Sequence, residues 1–434
     1  MCKAGIKKLY KITSAFLLIL TITYFVYGTE IPKGEISIDD CIRLAIENHP
    51  ELAAYRSKIK QKEKDFYLSK VATLPTADLN ASYSRLSYIS PQKQRFIGQS
   101  NDDYLAGLNL KQLLYTGGRI SAEKRVSEIS LNISKEDYKV KEDEVVFRVK
   151  TAYHKLLFAK QSISVQKELL HFMRSFLETA TQLNKQRKLP REETLLRIQS
   201  QTLESEQGVI VAQKEESIAN KILLNAMGFD SAETIKIMEM DEASMPFIKK
   251  LGVQENPEIL RSMMEIERSK ELIKKSKSGY FPSIDLGYSY GYEWGNWPPE
   301  KDSWFAGIFL KYPLWDWKSA KYNTEKAKDY QDEAKSIKEL IAKRISFEME
   351  AAMLKYESAR DRIQLDMSAQ EKAKRSLEMF ESRYRDASVT SIEMLDAQQS
   401  YLKARTRYIQ SILELRLAHA EIEKLSGRIY NEFK

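Results

Sequence analysis

The side chains that could carry chemistry are few and stand apart. His49, His154, His171 and His419 are the only histidines, and no two of them share the short spacing with which protein ligands pair on a metal. Gly117-Gly118 lacks the further glycine and the Lys-Ser/Thr that a phosphate-cradling loop requires. No serine, threonine or cysteine stands in a nucleophile–base pattern. The sequence therefore argues against an enzyme, a resident metal and a cofactor. The formal net charge is +8, yet Lys3, Lys7, Lys8 and Lys11 supply four of those charges at the extreme N-terminus. Elsewhere Lys and Glu interleave along helical stretches, which makes solvated faces and not a nucleic-acid patch.

The four N-terminal lysines precede a largely apolar run, Ile12 to Val26, and then Val26-Tyr27-Gly28. That order reads as a secretory signal peptide over residues 1–28, cleaved after Gly28. A retained anchor is the alternative, but the run is shorter than the ~20 residues that a spanning helix needs. Cys2 precedes the apolar run and leaves with it, so Cys41 stays alone, without a disulfide partner, as a small apolar packer. Mean hydropathy is −0.47 and 30% of residues are charged. A membrane could then be crossed only by a closed barrel, in which every backbone polar group is paired.

The chain is a duplication. His49-Pro50-Glu51-Leu52 returns as Asn256-Pro257-Glu258-Ile259, and Leu74-Pro75-Thr76-Ala77-Asp78-Leu79 returns as Phe281-Pro282-Ser283-Ile284-Asp285-Leu286, both offset by 207. Tyr104-Leu105-Ala106-Gly107-Leu108 returns as Trp304-Phe305-Ala306-Gly307-Ile308, offset by 200. We therefore expect two repeats, residues 29–249 and 250–434. Each opens with a helix whose first turn holds Pro50 or Pro257, where a missing N–H does no harm, and which runs to about Ser69 or Ser276. Pro75 or Pro282 then marks the switch to a strand.

The strands alternate. Ile284, Leu286, Tyr288, Tyr290, Tyr292 and Trp294 define an apolar face, and Asp285, Gly287, Ser289, Gly291 and Glu293 a polar or small one. Trp304, Ala306, Ile308, Leu310 and Tyr312 continue the pattern. The first copy repeats it more loosely, with Leu79, Ala81, Tyr83, then Tyr104, Ala106, Leu108 and Leu110. Each run is about eleven residues, enough for a tilted strand to cross a bilayer. All five tryptophans lie in or beside the second hairpin. Trp294 and Trp304 sit at its loop end, and Trp315 and Trp317, with Tyr280, at its open end, as two membrane-interface belts would. An aromatic-rich soluble hairpin is the other reading. Two strand pairs cannot close a barrel, so the chain must lend its strands to an oligomer or cover them.

After each second strand comes a long run free of Gly and Pro, from Arg119 to Gln186 and from Ser319 to Tyr384. At 1.5 Å per residue the first spans roughly 100 Å. Val149, Tyr153, Leu156, Ile163, Leu170, Met173 and Leu177 keep coiled-coil steps of three, four and seven. Reversals follow at Lys188-Leu189-Pro190 and Asp386-Ala387-Ser388, and returning helices carry seams such as Leu395, Leu402 and Ile409.

This order, twice over, resembles the TolC family of outer-membrane efflux proteins across essentially the whole mature chain. Similar motifs are Ser37-Ile38-Asp39-Asp40-Cys41 followed by Asn48-His49-Pro50-Glu51, then Leu74-Pro75, Leu114-Tyr115-Thr116-Gly117-Gly118-Arg119 and Ser391-Ile392-Glu393-Met394-Leu395-Asp396-Ala397. The resemblance implies a mainly α chain with a membrane β-barrel: a homotrimer with a twelve-stranded barrel and a periplasmic helical tunnel. It implies partners too, a periplasmic adaptor and an inner-membrane pump, besides outer-membrane lipid. Its function would be an exit channel for small molecules or proteins. Glu393 and Asp396 match two acids that ring the periplasmic entrance in the archetype, and their spacing of three places them on one helix face. The alternative for both is a pair of solvated acids at a helix N-terminus, where acids are favoured. By position, Lys188, Leu189, Pro190, Arg191, Asp386, Ala387 and Ser388 are the adaptor-docking tips. Two departures stand out: Lys188 and Ala387 replace reversal glycines, and Asp316-Trp317-Lys318 replaces Gly-Gly-Arg. A periplasmic adaptor or scaffold built on helical hairpins is the competing function, but it leaves the duplicated strand pairs unexplained.

Overall fold

The computed structural model describes residues 34–85, 87–88, 102–185, 191–230, 234–238, 253–294, 301–386 and 388–427. The expected signal peptide and Lys188, Leu189, Pro190, Ala387 and Trp297 lie outside the described residues, as does the side chain of Trp294.

Each repeat begins with a capped helix. Ser37 Oγ accepts from Asp40 N–H at the start of α1 (Ile38–Asn48). His49 Nδ1 accepts from Glu51 N–H and opens α2 (Pro50–Val71). In the second repeat Asn256 Oδ1 does the same for Glu258 N–H at α5 (Pro257–Lys277). An imidazole nitrogen and an amide oxygen thus do one job, satisfying an orphan donor of the first turn.

Four strands form one antiparallel sheet in the order β2 (Thr76–Arg85), β3 (Asp102–Tyr115), β5 (Ser283–Trp294), β6 (Lys301–Lys311). The two hairpins therefore join through β3 and β5, with Leu108 opposite Tyr290 and a bulge between Leu113 and Tyr115. A short parallel pair, β1 (Glu35–Ile36) with β4 (Lys236–Ile237), ties the chain's entry to the linker between repeats. The Tyr153 hydroxyl holds it by donating to Met238 O at 2.9 Å.

The long helices α3 (Arg119–Lys185) and α6 (Ser319–Arg385) are each 67 residues, about 100 Å. They end within one residue of the expected points. They return as α4 (Glu192–Ala226) and α7 (Ser391–Ser426). Gly228 and Gly427, at φ +85° and +70°, stop the returning helices where a Cβ would meet His49 Cα at 2.9 Å or Glu255 O at 2.8 Å.

The helices pack as a thin layer, so the core is three successive clusters. One surrounds Cys41, Val149, Tyr153 and Met227. The second gathers Ile345, Tyr356, Ile409 and Ile422. The third, at the reversals, gathers Met173, Phe176, Leu377, Tyr384, Met394 and Leu395. Cys41 is fully buried and its thiol is pushed up to about 12, chiefly by burial, as suits an inert packing residue.

Candidate functional site

Pairing across the sheet gathers apolar residues into rows on one face, while the other face mixes polar and small residues with Leu105, Phe305 and Phe309. One row runs Leu79, Leu108, Tyr290, Trp304 over all four strands, and the next Ala77, Leu110, Tyr288, Ala306. Directly paired residues share a face, so these rows and Leu286 beside Ile308 make one apolar face. The rows between them run Asp78, Asn109, Ser289, Phe305 and Asn80, Gly107, Gly291, Ser303. There Ser289 Oγ donates to Asn109 Oδ1 at 2.8 Å and Lys111 Nζ lies 3.3 Å from Asp285 Oδ2. Charged residues reach the apolar face only near the loop end, where Asp102 accepts from the Tyr83 hydroxyl and faces Arg85.

The apolar face is bare. Leu79 is 80% exposed, and Trp304 and Ile308 are each 70% exposed. Soluble monomers rarely leave so continuous an apolar patch in water. At the opposite end of the strands Trp315 and Trp317 meet edge to face at 5.5 Å and stand 75% and 82% exposed. Trp304 and this pair thus lie at the two ends of the apolar band. Trp294 pairs with Tyr104 through its backbone at the same end as Trp304.

The turn that carries Trp317 keeps its shape without glycine. Gly117 and Gly118 have φ +62° and +86°, and their counterparts Trp317 and Lys318 have φ +54° and +64°. A left-handed turn is costly for residues with a Cβ. Here the Asp316 carboxylate offsets that cost by accepting from Lys318 N–H at 3.0 Å and Ala320 N–H at 2.8 Å.

At the far end of the helices the described residues flanking the second reversal are tied to one another. Tyr384 Oη and Ser391 Oγ are 2.9 Å apart and buried, and Phe176 packs edge to face on Tyr384 at 4.9 Å. Thr390 and Glu393 form a reciprocal capping box. Two bonds from Thr390 hold the Glu393 carboxyl below its ordinary range. Asp396, one turn on, is exposed like Glu393, so both acids reach solvent on one side of α7. Arg191, Asp386 and Ser388 are exposed at the two reversals. Arg191 is the N-cap residue of α4 and makes no side-chain cap bond.

Two further features bear on assembly, the first anticipated by the strand count and the second not. The edges of the sheet, β2 and β6, have no strand partner within the described residues. The helices also carry exposed apolar stripes at steps of seven: Leu340, Phe347 and Leu354 on α6, and Leu196, Leu203 and Ile210 on α4. Seven-residue spacing signalled both stripes, but it does not distinguish a filled seam from an open one.

Among the described residues no His, Cys, Asp and Glu group could hold a metal ion. His154 is buried and its pKa lowered to about 3 by burial, then by Arg416, Lys150 and His419, which makes it a neutral core residue. No helix among those residues is long and apolar enough to cross a membrane.

The sequence pattern of the outer membrane efflux protein family matches residues 41–186 and 251–428. The outer membrane efflux protein BepC of Brucella suis biovar 1 is 25% identical over 193 residues, which cover 44% of this chain and 41% of BepC. Two solved structures share the fold. CusC superposes with a TM-score of 0.82 at 14% identity, over 92% of this chain and 95% of that one. The Campylobacter jejuni CmeC outer membrane channel superposes with a TM-score of 0.81 at 17% identity, over 90% and 85%.

Proposed function

The chain belongs to the outer membrane efflux protein family, and on that premise we propose that three copies form one export channel. Their sheets close into a twelve-stranded barrel in the outer membrane, and their helical hairpins form a tunnel projecting into the periplasm. The observation that carries this reading is the four-stranded sheet, with a bare apolar face, a reverse that carries most of the polar and small residues beside Leu105, Phe305 and Phe309, and two open edges. Lipid suits the first face, water the second, and further copies the edges. Eight strands would give an interior that side chains just fill, so two copies leave no bore, whereas three do. The exposed stripes on α4 and α6 are what neighbouring hairpins would cover.

The channel is a passive duct for small molecules or polypeptides, supplied by an inner-membrane pump through a periplasmic adaptor. Arg191, Asp386 and Ser388, with Lys188, Leu189, Pro190 and Ala387, are the adaptor contacts. Glu393 and Asp396 from three copies place six carboxylates around the periplasmic mouth, where a charged constriction selects for cations. Trp304, Trp315, Trp317 and Trp294 mark the bilayer interfaces.

Planar-bilayer conductance of the detergent-extracted protein tests the reading. We expect small cation-selective steps, blocked by a divalent cation on the helical side. A water-soluble protein without conductance would replace it with the periplasmic scaffold reading.

A further inference from the structure

The duplication holds in three dimensions as well as in sequence. α3 and α6 have the same length and begin 200 residues apart. α2 and α5 begin 207 apart. The left-handed turns of Gly117-Gly118 and Trp317-Lys318 also keep the offset of 200. The molecule therefore contains one finished example of the seam between a second strand and a following first strand, namely β3 against β5. Its two open edges, β6 and β2, are the same two elements without their partners.

We infer that β6 of one copy pairs antiparallel with β2 of the next in the register Leu310–Ala81, Phe309–Ser82 and Ile308–Tyr83, with Lys311 and Asp78 as an ion pair across the seam and the Trp317 indole over Val71 and Leu74. This rests on the three-copy reading and adds to it the contacts that join the copies. The register follows from the finished seam, where Leu110 faces Tyr288, Asn109 faces Ser289 and Leu108 faces Tyr290. This register keeps Ile308 and Leu310 on the face of Tyr83 and Ala81, which a slip of one residue would not, and it sets Phe309 opposite Ser82 much as Phe305 stands opposite Ser289 inside the copy.

Charge agrees. Lys111 and Asp285 bridge the finished seam at 3.3 Å, and their counterparts are Lys311 and Asp78, both exposed on the open edges. Arg125 and Glu267, 3.4 Å apart, correspond to Glu325 and Lys60, an opposite pair with the signs exchanged. Arg261 with Asp137 corresponds to Ala54 with Ile337, and Lys275 with Glu123 to Leu68 with Asn323. None of these four becomes a like-charged pair.

The seams differ at one level. A Cβ at Gly117 would lie 2.7 Å from Phe281 Cβ, so the seam inside a copy is tight. Trp317 stands at that place on the open edge, facing the counterparts of Ser278 and Phe281, which are Val71 and Leu74. The seam between copies is therefore wider there and filled by the indole.

Cysteine pairs in the full-length chain, with Cys2 and Cys41 replaced by serine and alanine, test the register in native membranes. Ser82→Cys with Phe309→Cys should oxidise to a covalent trimer as the predominant band, since directly opposed Cβ atoms lie about 5 Å apart. Predominant crosslinking of Phe309→Cys with Asn80→Cys or Ser84→Cys would overturn the register and leave the assembly standing. A trimeric mass with no crosslink from any pair would overturn the strand pairing itself. A monomeric mass would sink the three-copy reading as well. Separately, K311D and D78K should each reduce the SDS-resistant trimer severalfold, and the double swap should restore it. A double variant as weak as the worse single one would remove the ion pair from the proposal.

Discussion

The backbone N–H and the hydroxyl of Thr390 both donate to Glu393 Oε2, at 2.7 and 2.8 Å, while Glu393 N–H returns a bond to Thr390 Oγ1 at 3.3 Å. Glu393 therefore starts α7 as well as lying at the proposed mouth, and Asp396 has no part in that box. The lowered pKa of Glu393 comes first from the Thr390 backbone bond and then from its hydroxyl. The cap consequently stabilises at neutral pH and is lost as pH falls through the carboxyl's depressed range.

The two acids can be separated by substitution. Asp396→Asn should weaken cation selectivity and divalent block with the melting temperature unchanged. Glu393→Gln keeps an acceptor for Thr390 and should weaken selectivity with a small loss of stability. Thr390→Val should cost about 1 kcal/mol and leave selectivity intact. Bilayer reversal potentials alongside thermal melts decide this, and unchanged selectivity in the Asp396→Asn, Glu393→Gln double variant would remove the acidic ring.

Gly117 and Trp317 should respond oppositely, although they occupy equivalent turns. Gly117→Ala meets Phe281 Cβ at 2.7 Å and Ser278 O at 2.9 Å at a positive φ, so it should cost about 2 kcal/mol or more. Trp317→Gly relieves about 1 kcal/mol of left-handed strain and should leave each copy folded while weakening the trimer. Circular dichroism melts together with the trimer-to-monomer ratio on gels would show the split. Equal folding losses would contradict it.

Much of this architecture was legible because single residues settle it. Pro50 and Pro257 fix two helix starts, and the unbroken runs after Arg119 and Ser319 can only be long helices. The alternation from Ile284 to Trp294 fixes which face is apolar. Alternation says nothing of neighbours, however, so the pairing of β3 with β5 across the repeats had to come from the structure. The Trp317-Lys318 turn was hidden for a different reason. Local propensity argues against it, and only the two bonds to Asp316 make it tenable. The role of Glu393 as a cap could be read from Thr390-x-x-Glu393, a capping-box spacing, but not its three bonds.

A buried ion pair ties the repeats together in the helical layer. Lys150 Nζ lies 2.8 Å from Glu423 Oε2, and both side chains are about nine-tenths buried. Removing Lys150 takes the nearest cation from the buried Glu423 carboxylate, whose other oxygen lies 3.7 Å from His419 Nδ1, so Lys150→Met should cost about 3 kcal/mol. Lys150→Met with Glu423→Met should recover most of that loss. Melting of the two variants against the parent measures it, and a double variant no better than the single would show that the pair is not the unit that matters.

Asp143 sets a pH dependence in the same layer. Burial, reinforced by Glu142 and opposed by Lys424 and Lys139, raises its pKa from 3.8 to about 7. An acid whose folded pKa is raised favours the folded state in its protonated form. Its contribution is full below about pH 4, falls as pH rises, and is gone above about pH 7. Asp143→Asn keeps the neutral shape at every pH. The variant should match the parent near pH 4 and exceed it at pH 8 by an amount on the order of 3 kcal/mol. Melting curves of both proteins from pH 4 to 8 read this directly. Parallel curves over that range would mean that Asp143 is ionised in the folded chain, with Lys424 or Lys139 close enough to outweigh burial.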